Sequence, residues 1–142
     1  MLSTKMTYLL RNYCTFQRAS HFSRLVLTSS SYSTKLIMPS FLNTKDEFNA
    51  ALAGAGDKLV VVDYTASWCG PCQFIAPKFE EFSKTHTDCE FYKVDVDDNP
   101  EVSEEQGISA MPTFMFYRNS KKVDSFTGAD ANKLEAKIKA LK

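Results

Sequence analysis

The chain has 142 residues, of which 44% are hydrophobic and 24% are charged, and its formal net charge is zero. This length suits one domain of ordinary size, and the hydrophobic share is compatible with a packed core. No stretch is long and apolar enough to span a membrane, so we expect no membrane partner.

The first 37 residues differ in charge from the rest of the chain. They hold five basic residues and no acidic one, whereas residues 38–142 carry a formal net charge of −5. On a helical wheel Arg11 and Arg18 fall opposite an apolar side: Met6, Leu9, Leu10, Tyr13 and Phe16. Basic, hydroxylated, acid-free and amphipathic segments are typical of mitochondrial transit peptides. We therefore predict a transit peptide over residues 1–37 and a location in the mitochondrial matrix.

This N-terminal segment has other interpretations. A secretory signal needs an uninterrupted apolar region, but Arg11, Arg18 and Arg24 interrupt each apolar stretch. A disordered basic tail is the plainer alternative. Translation from Met38 would give a cytosolic form that begins where the predicted domain begins.

From residue 38 onward, apolar periodicity and turn residues predict strands that alternate with helices. A short strand is expected around Phe41, and Thr44-Lys45-Asp46-Glu47 has the pattern of a capping box that begins a short helix. Residues 59–64 are β-branched and nearly all apolar, which is typical of a strand buried on both faces of a sheet. A helix over residues 71–85 follows, with Pro71 in its first turn. Pro77 should kink this helix, whose apolar stripe is Phe74, Ile75, Phe79 and Phe82.

The second half continues the alternation and then closes with a hairpin. Residues 91–96 are predicted as a strand, and a short helix should begin at Asn99-Pro100 and stop at Gly107. Strands over 113–117 and 122–127 flank a turn at Asn119-Ser120. A terminal helix capped by Asp130 has the apolar residues Leu134, Ile138 and Leu141. The elements predict an α/β fold, in which helices cover both faces of a mixed central sheet.

Two cysteines follow the buried strand, in Trp68-Cys69-Gly70-Pro71-Cys72. Because Pro71 suits the first turn of a helix, Cys69 is expected at a helix N-terminus. Unpaired backbone N–H groups and the helix dipole stabilise a thiolate there, which lowers the cysteine pKa. Cys72 lies further into the helix and suits a resolving cysteine, so the pair indicates thiol–disulfide exchange. A lone CxxC motif also occurs in zinc sites.

The wider set of motifs resembles the thioredoxin family. Beside the cysteine motif it comprises Val62-Asp63-Tyr64, Ala76-Pro77 and the distant Met111-Pro112-Thr113. The resemblance runs from about Phe41 to the C-terminus. It implies the thioredoxin fold over residues 38–142, with a five-stranded mixed sheet flanked by helices on both faces.

The resemblance also implies the activity and the partners. The expected enzyme is a protein-disulfide reductase in which Cys69 attacks a target disulfide and Cys72 then breaks the mixed disulfide. It would need no cofactor and no metal, and would act as a monomer without a nucleic-acid partner. The expected electron donor is an NADPH-linked flavoprotein, thioredoxin reductase, and the expected targets are disulfide proteins such as peroxiredoxins.

Asp63 is the predicted proton-transfer residue. Burial in an apolar strand raises a carboxyl pKa and lets the group exchange protons near neutral pH. In the family a matching Asp helps to deprotonate the resolving cysteine, and Lys93 matches a lysine that pairs with this Asp and tunes it. The alternatives are an Asp bonded to the backbone at a strand end and a solvated lysine on a strand edge.

The resemblance further implies a docking surface for the substrate. The matching proline of the family is cis and leaves the preceding backbone free to pair with an extended substrate, although base rates alone favour a trans Pro112. An ordinary core tryptophan at position 68 and a simple turn glycine at position 128 are the alternatives. The residues of the predicted surface are Trp68, Gly70, Pro71, Ala110, Met111, Pro112 and Gly128.

The remaining cysteines and histidines do not form a recognisable site. Cys14 and His21 lie in the predicted transit peptide, His86 is isolated, and Cys89 follows a polar loop without a CxxC neighbour. This spacing supports neither a disulfide framework nor a zinc site. We expect Cys89 to be a surface thiol.

Two departures from the family pattern concern the site. Thr65 stands where bacterial members carry a second Trp, and Gln73 replaces the usual Lys after the second cysteine. Protein disulfide isomerase domains typically carry His at the position of Pro71, and glutaredoxins usually carry Pro-Tyr between their cysteines. A non-catalytic docking subunit is the competing interpretation from another class. Cys69→Ser would abolish the function of an enzyme and spare that of a docking subunit.

Overall fold

The computed structural model describes residues 38–142. The predicted transit peptide over 1–37, with Cys14 and His21, lies outside the described residues. Within the described part of the chain, no helix has the length and apolar character needed to cross a bilayer.

Every predicted strand and helix of the domain is present, with bounds that differ from prediction by one or two residues. In chain order the elements are β1 (Ser40–Phe41), α1 (Lys45–Gly54), β2 (Val60–Thr65), α2 (Gly70–Thr85), β3 (Glu90–Asp95), α3 (Pro100–Glu105), β4 (Thr113–Arg118), β5 (Lys121–Thr127) and α4 (Ala131–Leu141).

The five strands form one mixed sheet in the order β1-β3-β2-β4-β5. The first three of these run parallel to one another, and β4 and β5 are each antiparallel to their neighbours. β2 is therefore the central strand, which explains why its sequence is nearly all apolar.

Alternating side chains of the strands build a separate hydrophobic core on each face of the sheet. On one face Val61 and Phe114 pack with Ile75 and Phe79 of α2 and with Leu134 of α4. The core of the other face comprises Leu42, Phe48, Leu52, Ala55, Val60, Val62, Tyr64, Val94, Val102, Met115 and Tyr117. These residues come from the strands and from α1 and α3, so helices cover both faces, as predicted.

Each helix begins at a residue whose side chain accepts a hydrogen bond from a backbone N–H three positions later. The capping residues are Thr44, Cys69, Asn99 and Asp130. α2 is continuous through Pro77, and the kink at that residue stays a prediction.

The structure corrects the predicted stripe of α2 at one residue. The apolar pattern predicts Phe74 on the same stripe as Ile75, Phe79 and Phe82, but the side chain of Phe74 is 79% exposed. The other three are buried. A residue directly before Ile75 lies about 100° away from it around the helix, so both cannot face the sheet equally.

The β4–β5 hairpin turns at Asn119 and Ser120, as predicted. Their φ angles are +51° and +59°, so both residues adopt the left-handed conformation of a type I′ turn. Asn tolerates this conformation better than Ser does.

Candidate active site

Antiparallel pairing brings distant parts of the chain to one edge of the sheet. Tyr64, near the end of β2, lies opposite Thr113 at the start of β4, which in turn lies opposite Thr127 at the end of β5. The segments that follow β2, precede β4 and follow β5 therefore meet at this edge. They hold most of the predicted site residues.

Cys69 and Cys72 form a disulfide at this edge, with their Cα atoms 5.3 Å apart. Cys69 is the N-cap of α2, and its sulfur accepts a hydrogen bond from the backbone N–H of Cys72 at 3.2 Å. Cys69 is 6% exposed and Cys72 is 1% exposed. After reduction this N–H and the helix N-terminus favour a thiolate at Cys69. The more enclosed Cys72 is within reach to break a mixed disulfide on Cys69.

Trp68 lies beside the disulfide with 65% of its surface exposed, which rules out an ordinary core tryptophan. Its indole N–H donates to a carboxylate oxygen of Asp97 at 2.8 Å. The backbone N–H of Asp97 donates in turn to the side chain of Asp95 at 3.0 Å. Asp97 is not among the residues predicted from sequence, because its contact with Trp68 depends on the parallel pairing of β2 with β3.

On the other side of the disulfide, the Met111-Pro112 peptide bond is cis, as the resemblance implied. The carbonyl of Pro112 accepts a hydrogen bond from the backbone N–H of Gly128 at 2.8 Å. Gly128 has a φ of +114°, a conformation that L side chains rarely adopt. The turn therefore requires glycine at position 128, and the hydrogen bond to Pro112 connects this turn to the loop that holds the cis proline. Met111 packs against the cluster of Ala66 and the two cysteines, while Ala110 is exposed.

Asp63 is 1% exposed, and its Oδ1 atom has no hydrogen-bond partner. The alternative prediction, an Asp whose carboxylate is hydrogen-bonded to the backbone at a strand end, therefore does not hold for this oxygen. Burial raises the pKa of Asp63 to about 7, and the positive charge of Lys93 opposes this rise. A carboxyl group with such a pKa can accept or donate a proton at neutral pH.

Lys93 is adjacent to Asp63 in the parallel register of β2 and β3, but its ammonium is held elsewhere. The Nζ atom donates to Oε1 of Glu80 on α2 at 3.2 Å and lies 5.8 Å from the ring centre of Phe41. Lys93 is 8% exposed, so it is not a solvated edge lysine. The ion pair of Lys93 is thus with Glu80, while its positive charge opposes the raised pKa of Asp63. The tuning of Asp63 by Lys93 stays a prediction.

A cleft of about 230 Å³ leads to Asp63 and Cys72 from solvent. Thr65, at the position of the bacterial Trp, lines this cleft with a small side chain. Gln73, at the position of the usual Lys, also lines it and donates to the backbone carbonyl of Ser67 at 2.6 Å. Both departures from the family pattern therefore fall on the wall of one cleft.

Cys89 lies outside the site, and the prediction of a surface thiol is wrong. It is 6% exposed and belongs to the core between the sheet, α2 and α4. Burial raises the pKa of its thiol to about 11, with the neighbouring Asp88 adding to the rise. His86 is also buried, and burial lowers its pKa. No group of three or more metal-ligating side chains is found within residues 38–142.

Comparison with known proteins places this geometry in a family. The family model described as thioredoxin matches residues 40–140. A thioredoxin of Geodia cydonium is 55% identical over 103 residues, which are 72% of this chain and 97% of the relative. The X-ray structure of Fasciola hepatica thioredoxin superposes with a TM-score of 0.72 at 42% identity, covering 72% of this chain and 99% of that one.

Two further similar structures are described with redox partners. One is from a study of the thiol resolving mechanism in yeast mitochondrial 1-Cys peroxiredoxin via glutathione and thioredoxin systems. It superposes with a TM-score of 0.68 at 30% identity, covering 72% of this chain and 95% of that one. The other is a complex of ferredoxin:thioredoxin reductase with thioredoxin f2, with a TM-score of 0.70 and 39% identity over 73% and 94% of the two chains.

Proposed function

The chain belongs to the thioredoxin family and is a thiol–disulfide oxidoreductase with a redox-active Cys69–Cys72 pair, and from this premise we propose the roles of its site residues. Cys69 is the nucleophile. Its thiolate attacks one sulfur of a target disulfide, forms a mixed disulfide and releases the other target sulfur as a thiolate. Cys72 then attacks the Cys69 sulfur and releases the second target sulfur. The two protons of the dithiol pass to the target thiolates.

One observation carries this assignment: the Cys69 sulfur caps α2, and Cys69 is the more exposed of the two cysteines, at 6% against 1% for Cys72. A partner disulfide approaching from solvent meets Cys69 first. The helix N-terminus favours a thiolate on the same sulfur, so accessibility and charge support the same nucleophile.

Asp63 is proposed as the group that takes the proton of Cys72. Its carboxyl lines the same cleft as Cys72, and its raised pKa of about 7 suits proton exchange at neutral pH. Lys93 is proposed to tune Asp63, because its charge opposes the effect of burial.

The docking surface is proposed to lie on both sides of Cys69. The exposed indole of Trp68 borders one side, and the cis Met111-Pro112 loop borders the other. Among residues 38–142 the backbone of Met111 has no hydrogen-bond partner, which leaves it available to an extended substrate segment. The surface is completed by Gly70, Pro71, Ala110 and Gly128.

We propose that the reductant is an NADPH-linked thioredoxin reductase and that peroxiredoxins are among the targets. A similar protein in complex with a ferredoxin:thioredoxin reductase supports a reductase as partner, and one described with a peroxiredoxin supports a peroxiredoxin as target. The NADPH-linked flavoprotein is proposed on the family resemblance. We also propose that residues 1–37 direct the domain over 38–142 to mitochondria, on the charge pattern of that segment.

The direct test of the activity is reduction of insulin disulfides by the full chain with NADPH and a thioredoxin reductase. Cys69→Ser and Cys72→Ser should each lose turnover, and Cys72→Ser should accumulate the mixed disulfide on Cys69. Cys89→Ser is the matched control, because it removes a thiol outside the site. Unimpaired turnover in Cys69→Ser would overturn the proposed mechanism.

Localisation is tested by import into isolated mitochondria, comparing the full chain with a chain that begins at Met38. The full chain should become protected from added protease, and the shorter chain should stay accessible. Equal accessibility of both chains would overturn the proposed targeting.

A further inference from the structure

The ion pair between Glu80 and Lys93 links the surface of α2 to the buried carboxyl of Asp63. Glu80 lies on the part of α2 that faces β3, with its side chain one third exposed, whereas the side chain of Lys93 is only 10% exposed. A nearly buried ammonium needs a partner, because an unpaired charge in the interior is strongly unfavourable. Glu80 supplies that partner at 3.2 Å, and the ring of Phe41 lies 5.8 Å from the same ammonium.

We propose that Glu80 is a positioning residue for proton transfer: its carboxylate fixes the ammonium of Lys93 and so sets how strongly that charge acts on Asp63. This inference rests on the proposed role of Asp63. The two strands that carry Lys93 and Asp63 pair directly, and neighbouring strands lie about 4.8 Å apart. Both residues also line the same cleft, and the structure shows the ammonium bound to Glu80.

The surroundings of Asp63 contain few other charges. In the cleft that Asp63 lines, β3 contributes Lys93 and Asp95 and α2 contributes Cys72, and Glu80 of α2 reaches Lys93. From β4 the paired residue is Phe114, which is apolar. In the disulfide form the cysteines carry no ionisable thiol, so neither of them is coupled to the titration of Asp63.

Removal of the Glu80 charge should lower the pKa of Asp63 through Lys93. The ammonium, no longer held by Glu80, is free to approach the carboxyl of Asp63 on the neighbouring strand. Because an opposite charge within 4–6 Å lowers a carboxyl pKa by about 1–3, we expect a fall of about 1 in Glu80→Gln.

The test is a pH titration of the Asp63 carboxyl carbon by ¹³C NMR in the full chain, in its disulfide form. Glu81→Gln is the matched control: Glu81 is the next residue of α2, and its surface ion pair is with Lys78. The pKa of Asp63 should fall in Glu80→Gln, stay at the native value in Glu81→Gln and be largely restored in Glu80→Asp. An unchanged or higher pKa in Glu80→Gln would overturn the inference.

A double-mutant cycle with Lys93→Met shows whether Glu80 acts through Lys93. In that background Glu80→Gln should lower the pKa of Asp63 clearly less than in the native chain. An equal fall would show that Glu80 acts without Lys93, and would overturn the positioning role.

A kinetic measurement separates this inference from the proposed role of Asp63. In Glu80→Gln the acidic limb of the pH profile for insulin reduction should move to lower pH by the same amount as the titration of Asp63. If the titration moves and the profile does not, the positioning by Glu80 stands and the proton-transfer role of Asp63 fails.

Discussion

The carboxyl of Asp63 should make the stability of the protein fall as pH rises, and Asp63→Asn should remove this dependence. Burial raises the pKa of Asp63 from 3.8 to about 7. Below pH 4 both the folded and the unfolded chain keep this proton. Between pH 4 and 7 the unfolded chain loses it and the folded chain keeps it, so stability decreases with pH until the folded group also ionises.

The size of the effect follows from the difference between the two pKa values. At about 1.4 kcal/mol per pH unit, the step from 3.8 to about 7 corresponds to a loss on the order of 4 kcal/mol, complete above about pH 8. Asn has the shape of the neutral acid and does not titrate. Asp63→Asn should therefore match the native protein near pH 4 and exceed its unfolding free energy by about that amount at pH 8.

Urea unfolding of the disulfide form at a series of pH values from 4 to 8.5 measures this difference. Asp57→Asn is the control, because Asp57 is exposed on the surface. Its unfolding free energy should follow the native pH dependence. A stability difference between Asp63→Asn and the native protein that is constant over this pH range would refute the reasoning.

Three further outcomes are expected. Phe74 is exposed on α2 only two residues after Cys72, so Phe74→Ser should remove an apolar contact with a docked protein and raise its KM about fivefold without changing kcat in steady-state assays. Val123→Ser, the loss of an exposed apolar residue on β5, should change neither constant. Ser120→Gly should stabilise the fold by about 0.5–1 kcal/mol in thermal unfolding, because glycine adopts the positive φ of this turn without steric cost. In the reduced protein at pH 7, iodoacetamide should modify Cys69 and leave Cys89 unmodified until the chain is unfolded, as mass spectrometry of the peptides can show.

The order and type of the elements were predictable because local rules agree with the fold. The apolar run that became β2 is the central strand, and the capping residues Thr44, Asn99 and Asp130 begin helices where expected. The cis bond before Pro112 was not predictable from base rates, and the family resemblance supplied it.

The features that could not be predicted from the sequence depend on contacts between different helices and strands. The partner of Trp68 is Asp97, and that of Lys93 is Glu80; both contacts join residues 13 or more positions apart across the sheet or onto a helix. Cys89 was expected at the surface from its polar neighbours, but the start of β3 turns its side chain into the core. Sequence patterns of one element do not specify such contacts.

The pH-dependent loss of stability expected from Asp63 and the proposed proton-transfer role of this residue have one physical cause, its raised pKa. A carboxyl group in water has a pKa near 4 and is too weak a base to take a proton from a thiol at neutral pH. Burial raises the pKa of Asp63 to about 7, closer to that of a thiol, and it lowers the free energy of unfolding at neutral pH. A full positive charge in direct contact with Asp63 would lower this pKa again, since an opposite charge returns a carboxyl pKa toward its value in water. An ammonium held by Glu80 instead leaves Asp63 the raised pKa that a base needs. The ion pair between Glu80 and Lys93 and the proposed proton transfer at Cys72 therefore depend on the same balance of charges.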